Sequence, residues 1–181
     1  MRKTSLTKNK TLKNYLFFCI ALTTITLHAQ SADVVIVDKN FPNVQGLLAS
    51  LPVDVQYIET TSNTTIQEIL VSALNLNQQA RNIHLFCNTD SKSITVGNQN
   101  YSSTVITENL NGNAFINYQN VNLLVYSCNL AKDSKGIELL EMIASKTNFN
   151  VASCFSCETV DEEFTFDFST SSATITTSLF K

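Results

Sequence analysis

Five short apolar runs alternate with stretches of helical periodicity, and this alternation limits the fold more than any other feature of the chain. The runs are "DVVIVD" (33–38), "VDVQYIE" (53–59), "NIHLFC" (82–87), "VNLLVYS" (121–127) and "FNVAS" (149–153). Most are dense in Val, Ile and Leu, as in strands covered on both faces, while 53–59 alternates apolar and polar residues. Between them, Val44, Leu47, Leu48 and Leu51 recur at helical spacing. So do Ile66, Ile69, Leu70 and Leu74, behind a Thr64 or Thr65 cap. Over 134–147, Ile137, Leu140, Ile143 and Ala144 line one face, with Lys146 at the negative end of the dipole. Strand–helix alternation predicts an α/β fold: a mostly parallel sheet flanked by helices on both faces.

Three further elements complete the expectation. Gly97-Asn98 between short β-type segments marks a hairpin. A weakly periodic stretch, 104–118, holds a short helix that ends near Asn111, Gly112 and Asn113. The tail "EEFTFDFSTSSATITTSLF" (162–180) alternates with period two and is expected to add one or two strands. In parallel sheets, chemistry gathers at the C-terminal ends of strands. Cys87, Cys128 and Cys154 fall at such ends, and Cys157 lies four residues beyond its strand.

The first 29 residues read as a secretory signal rather than as part of the fold. Arg2, Lys3, Lys8, Lys10 and Lys13 form a basic leader, "YLFFCIALTTITL" (15–27) is the apolar core, and Ala29 offers a cleavage point before Gln30. That core is shorter than the about 20 residues a spanning helix needs, which argues against the alternative of a membrane anchor. Phe17 and Phe18 before Cys19 argue against lipidation. The expected organisation is a signal peptide, 1–29, and a single domain, 30–181, exported to the periplasm or the extracellular space, with no membrane span after signal removal. Of the 181 residues, 152 then remain, with 7 basic against 15 acidic side chains, a net charge of −8. An acidic chain without a basic cluster argues against nucleic acid and anionic membranes as partners. Cys87, Cys128, Cys154 and Cys157 remain, and an even number in an exported chain permits disulfides. Four cysteines allow three pairings, among which the sequence does not choose. His84 is the one histidine left.

Five motifs in order carry a family resemblance: "VVIVD" with Asp38, the "IHLFCNT" strand end, the "ITVGNQNYS" hairpin, "VYSCNLAKDSKG" with Tyr126, Cys128, Asn129, Ala131 and Gly136, and "TNFNVAS". Together they resemble a bacterial domain of unknown function found near the N-termini of large secreted adhesin and cadherin-like repeat proteins. Its pattern looks like a caspase-type, clan CD cysteine peptidase core. The family ends one strand in Ser-His-Gly; this chain has Cys87-Asn88-Thr89 there, so the position of the catalytic-type histidine is Asn88. The family's glycine between tyrosine and cysteine is Ser127, and "FTFDF" is the nearest match to a closing strand that in the family contains Trp. The resemblance places Cys87, Asn88, Tyr126, Cys128 and Asn129 at the ancestral site corner.

A cysteine nucleophile needs a base, a helix N-terminus or a positive charge to become a thiolate. Asn88 takes up no proton at neutral pH. His84 lies four residues back, about 13 Å down an extended strand, and reads as a packed, hydrogen-bonded core histidine. The helix near Asp133–Ser134 offers Cys128 a little help, Lys132 is close in sequence, and Asp133 works against a thiolate. If the third and fourth major strands are neighbours, as the caspase-type order implies, Cys87 and Cys128 sit on strands about 4.8 Å apart, within disulfide reach. Cys154 and Cys157 would then form the second bridge. The expectation is therefore a stand-alone, non-catalytic caspase-like domain, without a cofactor, that acts in binding, surface association or assembly on an unknown protein or surface component in trans. The alternative is a cysteine hydrolase or self-processing peptidase using Cys128. A four-cysteine zinc site lacks a second CxxC, and a redox CxxC at Cys154–Cys157 lacks a good following helix; both are lower alternatives.

Overall fold

A computed structural model describes residues 31–160, 164–172, 175 and 179; the expected signal segment lies outside the described residues. The alternation is realised as a mixed α/β fold. Strands β1 (Asp33–Val37), β2 (Gln56–Glu59), β3 (Asn82–Phe86), β7 (Asn122–Val125), β8 (Asn150–Ser153) and β9 (Phe168–Ser169) form one sheet in the order β2-β1-β3-β7-β8-β9. Every pairing is parallel except that of β8 with β9. Four helices flank it: α1 (Val44–Ser50), α2 (Ile66–Leu76), α3 (Ser103–Asn109) and α4 (Ser134–Thr147). This architecture is consistent with a caspase-like core.

The two faces are covered unequally. Val34, Ile36, Ile83, Leu85, Leu123, Val125 and Val151 meet the apolar sides of α2, α3 and α4. The opposite residues, Val35, Val37, Phe86, Leu124, Tyr126 and Ala152, meet one short helix, through Val44, Leu47 and Leu48 of α1, together with Val55 and the tail residues Phe164, Phe166 and Ile175. Strand alternation dictates which residue enters which layer. Thr65 is the cap of α2, closing a reciprocal capping box with Glu68. On α4 the buried face runs through Gly136, Leu139, Leu140, Ile143 and Thr147, a small rotation from the expected stripe. Gly136 admits no side chain, because a Cβ would run into Leu130 O.

Asp33, Asn82, Asn122 and Asn150 are register partners across four parallel strands. Their side chains form a ladder: Asn150 Nδ2 donates to Asn122 Oδ1 (3.1 Å), Asn122 Nδ2 to Asn82 Oδ1 (2.8 Å), and Asn82 Nδ2 to Asp33 Oδ1 (2.7 Å). The other end of the sheet carries a small antiparallel sheet of β4 (Asn88–Thr89), β5 (Ile94–Val96) and β6 (Gln99–Tyr101). The hairpin turns at Gly97, as expected, with φ 64°. β4 is an addition to the expected elements. The stretch 104–118 becomes α3 and a separate 3-10 turn, Gly112–Phe115, so Asn111–Asn113 begin a second turn instead of ending the first helix. Of the expected tail strands, only Phe168–Ser169 forms one among the described residues. No described helix is long and apolar enough to cross a membrane.

Candidate functional site

Strand order reverses between β1 and β3, so their C-terminal ends flank the position where open parallel sheets leave a crevice. There the hairpin turn is fastened to the segments that follow β1 and β2. Asp38, fully buried, accepts from Gly97 N (2.6 Å) and Thr60 Oγ1 (2.7 Å) through one carboxylate oxygen, and from Asn40 N (2.9 Å) through the other. Asn40 Nδ2 donates to Gly97 O (2.9 Å). A Cβ at Gly97 would stand 2.7 Å from Thr61 O, so the turn needs glycine for space as well as for its positive φ.

Beside it, β3 runs into Cys87, Asn88 and Thr89. Asn88 is exposed, and its amide donates to Asn40 O (2.9 Å). Cys87 carries a free thiol and is 3 % exposed. Burial, reinforced by the nearby Asp38 carboxylate, pushes that thiol far above its ordinary range, which leaves it inert at neutral pH.

Cys128 follows β7 by three residues and is bonded to Cys157, with Cα atoms 5.3 Å apart. This corrects the expected pairing: Cys87 is not joined to Cys128, nor Cys154 to Cys157. β3 and β7 are neighbours, as that expectation required. Side-chain direction defeats it, because Cys87 follows Ile83 and Leu85 into the layer under α2–α4, while Cys128, Cys154 and Cys157 belong to the opposite layer. Lys132 Nζ donates to Cys157 O (2.6 Å). A 3-10 turn, Leu130–Lys132, separates Cys128 from α4, whose first turn is capped by Asp133. Ser127 Oγ bonds Thr89 Oγ1 (2.7 Å) and accepts from Asn129 N (3.2 Å) and Leu130 N (3.3 Å), which fixes the corner. Asn129 is exposed and contributes no side-chain cap.

Cys154 is also a free thiol, fully buried, and accepts the Cys157 N–H (2.9 Å) through Sγ. The loop between the two cysteines is clamped by Asp167, whose carboxylate accepts Phe155 N (2.5 Å) and Ser156 N (3.1 Å). Burial opposes ionisation of Asp167, but these bonds outweigh it and hold its pKa below the ordinary carboxylate value.

His84 is buried as expected, between Tyr126 Oη (3.0 Å from Nδ1) and Asp33 Oδ1 (3.2 Å from Nε2). The ring thus bridges the carboxylate and the phenol, whose oxygen also accepts Leu179 N (3.4 Å). The His84 hydrogen bond, with those of Asn82 and Ser31, overcomes partial burial and lowers the Asp33 pKa to about 2. The Tyr126 ring lies in the same layer as Cys128, where it stacks on Phe86 (4.0 Å between centroids) and packs against Phe164 and Phe166. Among the described residues, no three of His, Cys, Asp and Glu are grouped to hold a metal ion, so the zinc alternative finds no site there.

Sequence reasoning passed over Asp167, the Ser127–Thr89 pair and the ladder. The ladder did leave a signal: "DVVIV", "NIHLF", "NLLV" and "NVAS" each open on Asp or Asn. A family model described as Domain of unknown function (DUF4347) matches residues 34–158. No curated protein and no solved structure matches the chain.

Proposed function

The chain belongs to the Domain of unknown function (DUF4347) family, and from that premise we propose that it is an exported, non-catalytic caspase-like domain that acts by binding a protein or surface component in trans. One observation carries the reading: the would-be nucleophile, Cys128, is covalently tied to Cys157. A bonded sulfur has no thiolate to offer. The rest of the corner agrees. The base position is an amide engaged with a backbone carbonyl, the buried histidine serves Asp33 and Tyr126, and the hairpin turn is bonded to Asp38 beyond β1. What remains of an ancestral active site is then a covalent staple. The acidic charge after Ala29 and the signal-like leader support export and a partner other than nucleic acid.

The test is peptide hydrolysis and self-cleavage by the full chain, with and without dithiothreitol, beside a Cys128→Ala variant. Reduction frees Cys128, so the absence of a base is tested together with the bond. The expected result is no cleavage that Cys128→Ala abolishes in either condition. Cleavage that depends on Cys128 would overturn the reading in favour of a cysteine hydrolase. Intact mass after secretion should begin at Gln30 and rise by two hydrogens on reduction.

A further inference from the structure

Three of the four cysteines in the described residues lie in one apolar layer, and three sulfurs with one bond leave one thiol spare. Cys128, Cys154 and Cys157 share the face that carries Tyr126 and Phe164, while Cys87 is sequestered on the other side of the sheet. The spare thiol adjoins the bond. Cys154 Sγ lies 2.9 Å from the backbone nitrogen of Cys157, the residue that holds one end of the disulfide. The tight loop that brings them together is not incidental, since Asp167 accepts both intervening N–H groups. Lys132 fixes the carbonyl on the far side of Cys157.

We propose that Cys154, Cys157 and Cys128 form an internal thiol–disulfide exchange site, with Cys154 as the resolving thiol. When the loop held by Asp167 opens to water, Cys154 loses its proton to hydroxide, and its thiolate attacks Cys157 Sγ. The Cys154–Cys157 bond forms, the Cys128–Cys157 bond breaks, and the electron pair leaves on Cys128, which is then protonated. One S–S bond replaces another, so no oxidant or reductant is consumed. The exchange moves the free thiol from a fully buried position at the end of β8 to Cys128, which is already 8 % exposed at the C-terminal edge of the sheet. The inference rests on the bonded Cys128 of the reading above and names what regulates it.

The test is non-reducing peptide mapping of the full chain before and during incubation with N-ethylmaleimide at pH 8 without reductant. Mapping resolves each cysteine separately, Cys19 included. Exchange predicts that maleimide accumulates on Cys128 while a Cys154–Cys157 link appears, and that Cys154→Ser lowers labelling of Cys128 at least tenfold. Maleimide on Cys154 with Cys128–Cys157 intact, or no labelling at either, would overturn exchange and leave the bonded reading standing. A Cys128 found unbonded before incubation would overturn both. The wild-type result decides the matter even if Cys154→Ser fails to fold.

Discussion

The same parallel strands begin and end in polar residues, yet their two ends are closed by different chemistry. At the N-terminal ends, Asp33, Asn82, Asn122 and Asn150 stand in one register, so a single contact repeats from strand to strand and ends on a carboxylate that also holds His84. At the C-terminal ends the strands overrun by different lengths. Each overrun finds its own partner: Asp38 the hairpin, Ser127 the β4 hydroxyl of Thr89, Cys128 a sulfur 29 residues away. In-register ends allow a repeated, purely structural solution. Staggered ends demand individual ones, and reactive side chains collect there because nothing repeats.

Breaking the covalent end should cost most. Closing a loop of 29 residues is worth about 3.5 kcal/mol on chain-entropy grounds. Cys157→Ser is expected to lower the unfolding free energy by about that amount in urea titrations. Dithiothreitol should do the same to the wild type and little more to the variant; a change below about 1 kcal/mol would mean that the corner is held by its hydrogen bonds instead.

Tyr126 links the two ends, and its phenol reaches His84 while its ring packs the layer of Cys128. Tyr126→Phe keeps the stacking but leaves buried Nδ1 of His84 and Leu179 N–H without that oxygen. An unsatisfied buried group costs about 1–3 kcal/mol, so a loss of about 2 kcal/mol is expected. A neutral result would show that the hydrogen-bonded end does not depend on the aromatic layer.

The smallest effect is titratable. Asp33 has a folded pKa of about 2, below its ordinary value of 3.8. A depressed carboxylate adds stability that is fully present above the unfolded pKa and is lost as pH falls through the folded one. The wild type should therefore lose about 1–2 kcal/mol between pH 5 and pH 2, because solvent screens the partly exposed carboxylate. Asp33→Asn should flatten that window in urea titrations at each pH. An unchanged slope would remove the ladder's carboxylate from the acid response.

Much of the fold was legible along the chain because the signals are local. The Gly97-Asn98 turn, the Thr65 cap and α4 from Ser134 to Thr147 each follow from a few adjacent residues. The burial of His84 followed too, since its place mid-strand sets its depth. The tail was not legible: its alternation matches a strand, but only Phe168–Ser169 pairs among the described residues, and Phe164 and Ile175 instead cover the layer that the helices leave thin. Periodicity states which residues are apolar, not which surface needs them.

The sequence by itself determined the α/β class, the strand ends on which the cysteines fall, and the absence of an imidazole at position 88, because each is a matter of residue type and local period. Only the tertiary structure decided which sulfur meets which. Cys87 and Cys128 stand on neighbouring strands, but a strand turns successive side chains to opposite faces, and one residue of phase separates a reachable cysteine from an unreachable one. The bond to Cys157, and Cys154 waiting beside it, come from that phase and from a loop folded back by Asp167, a contact between segments that no local pattern encodes.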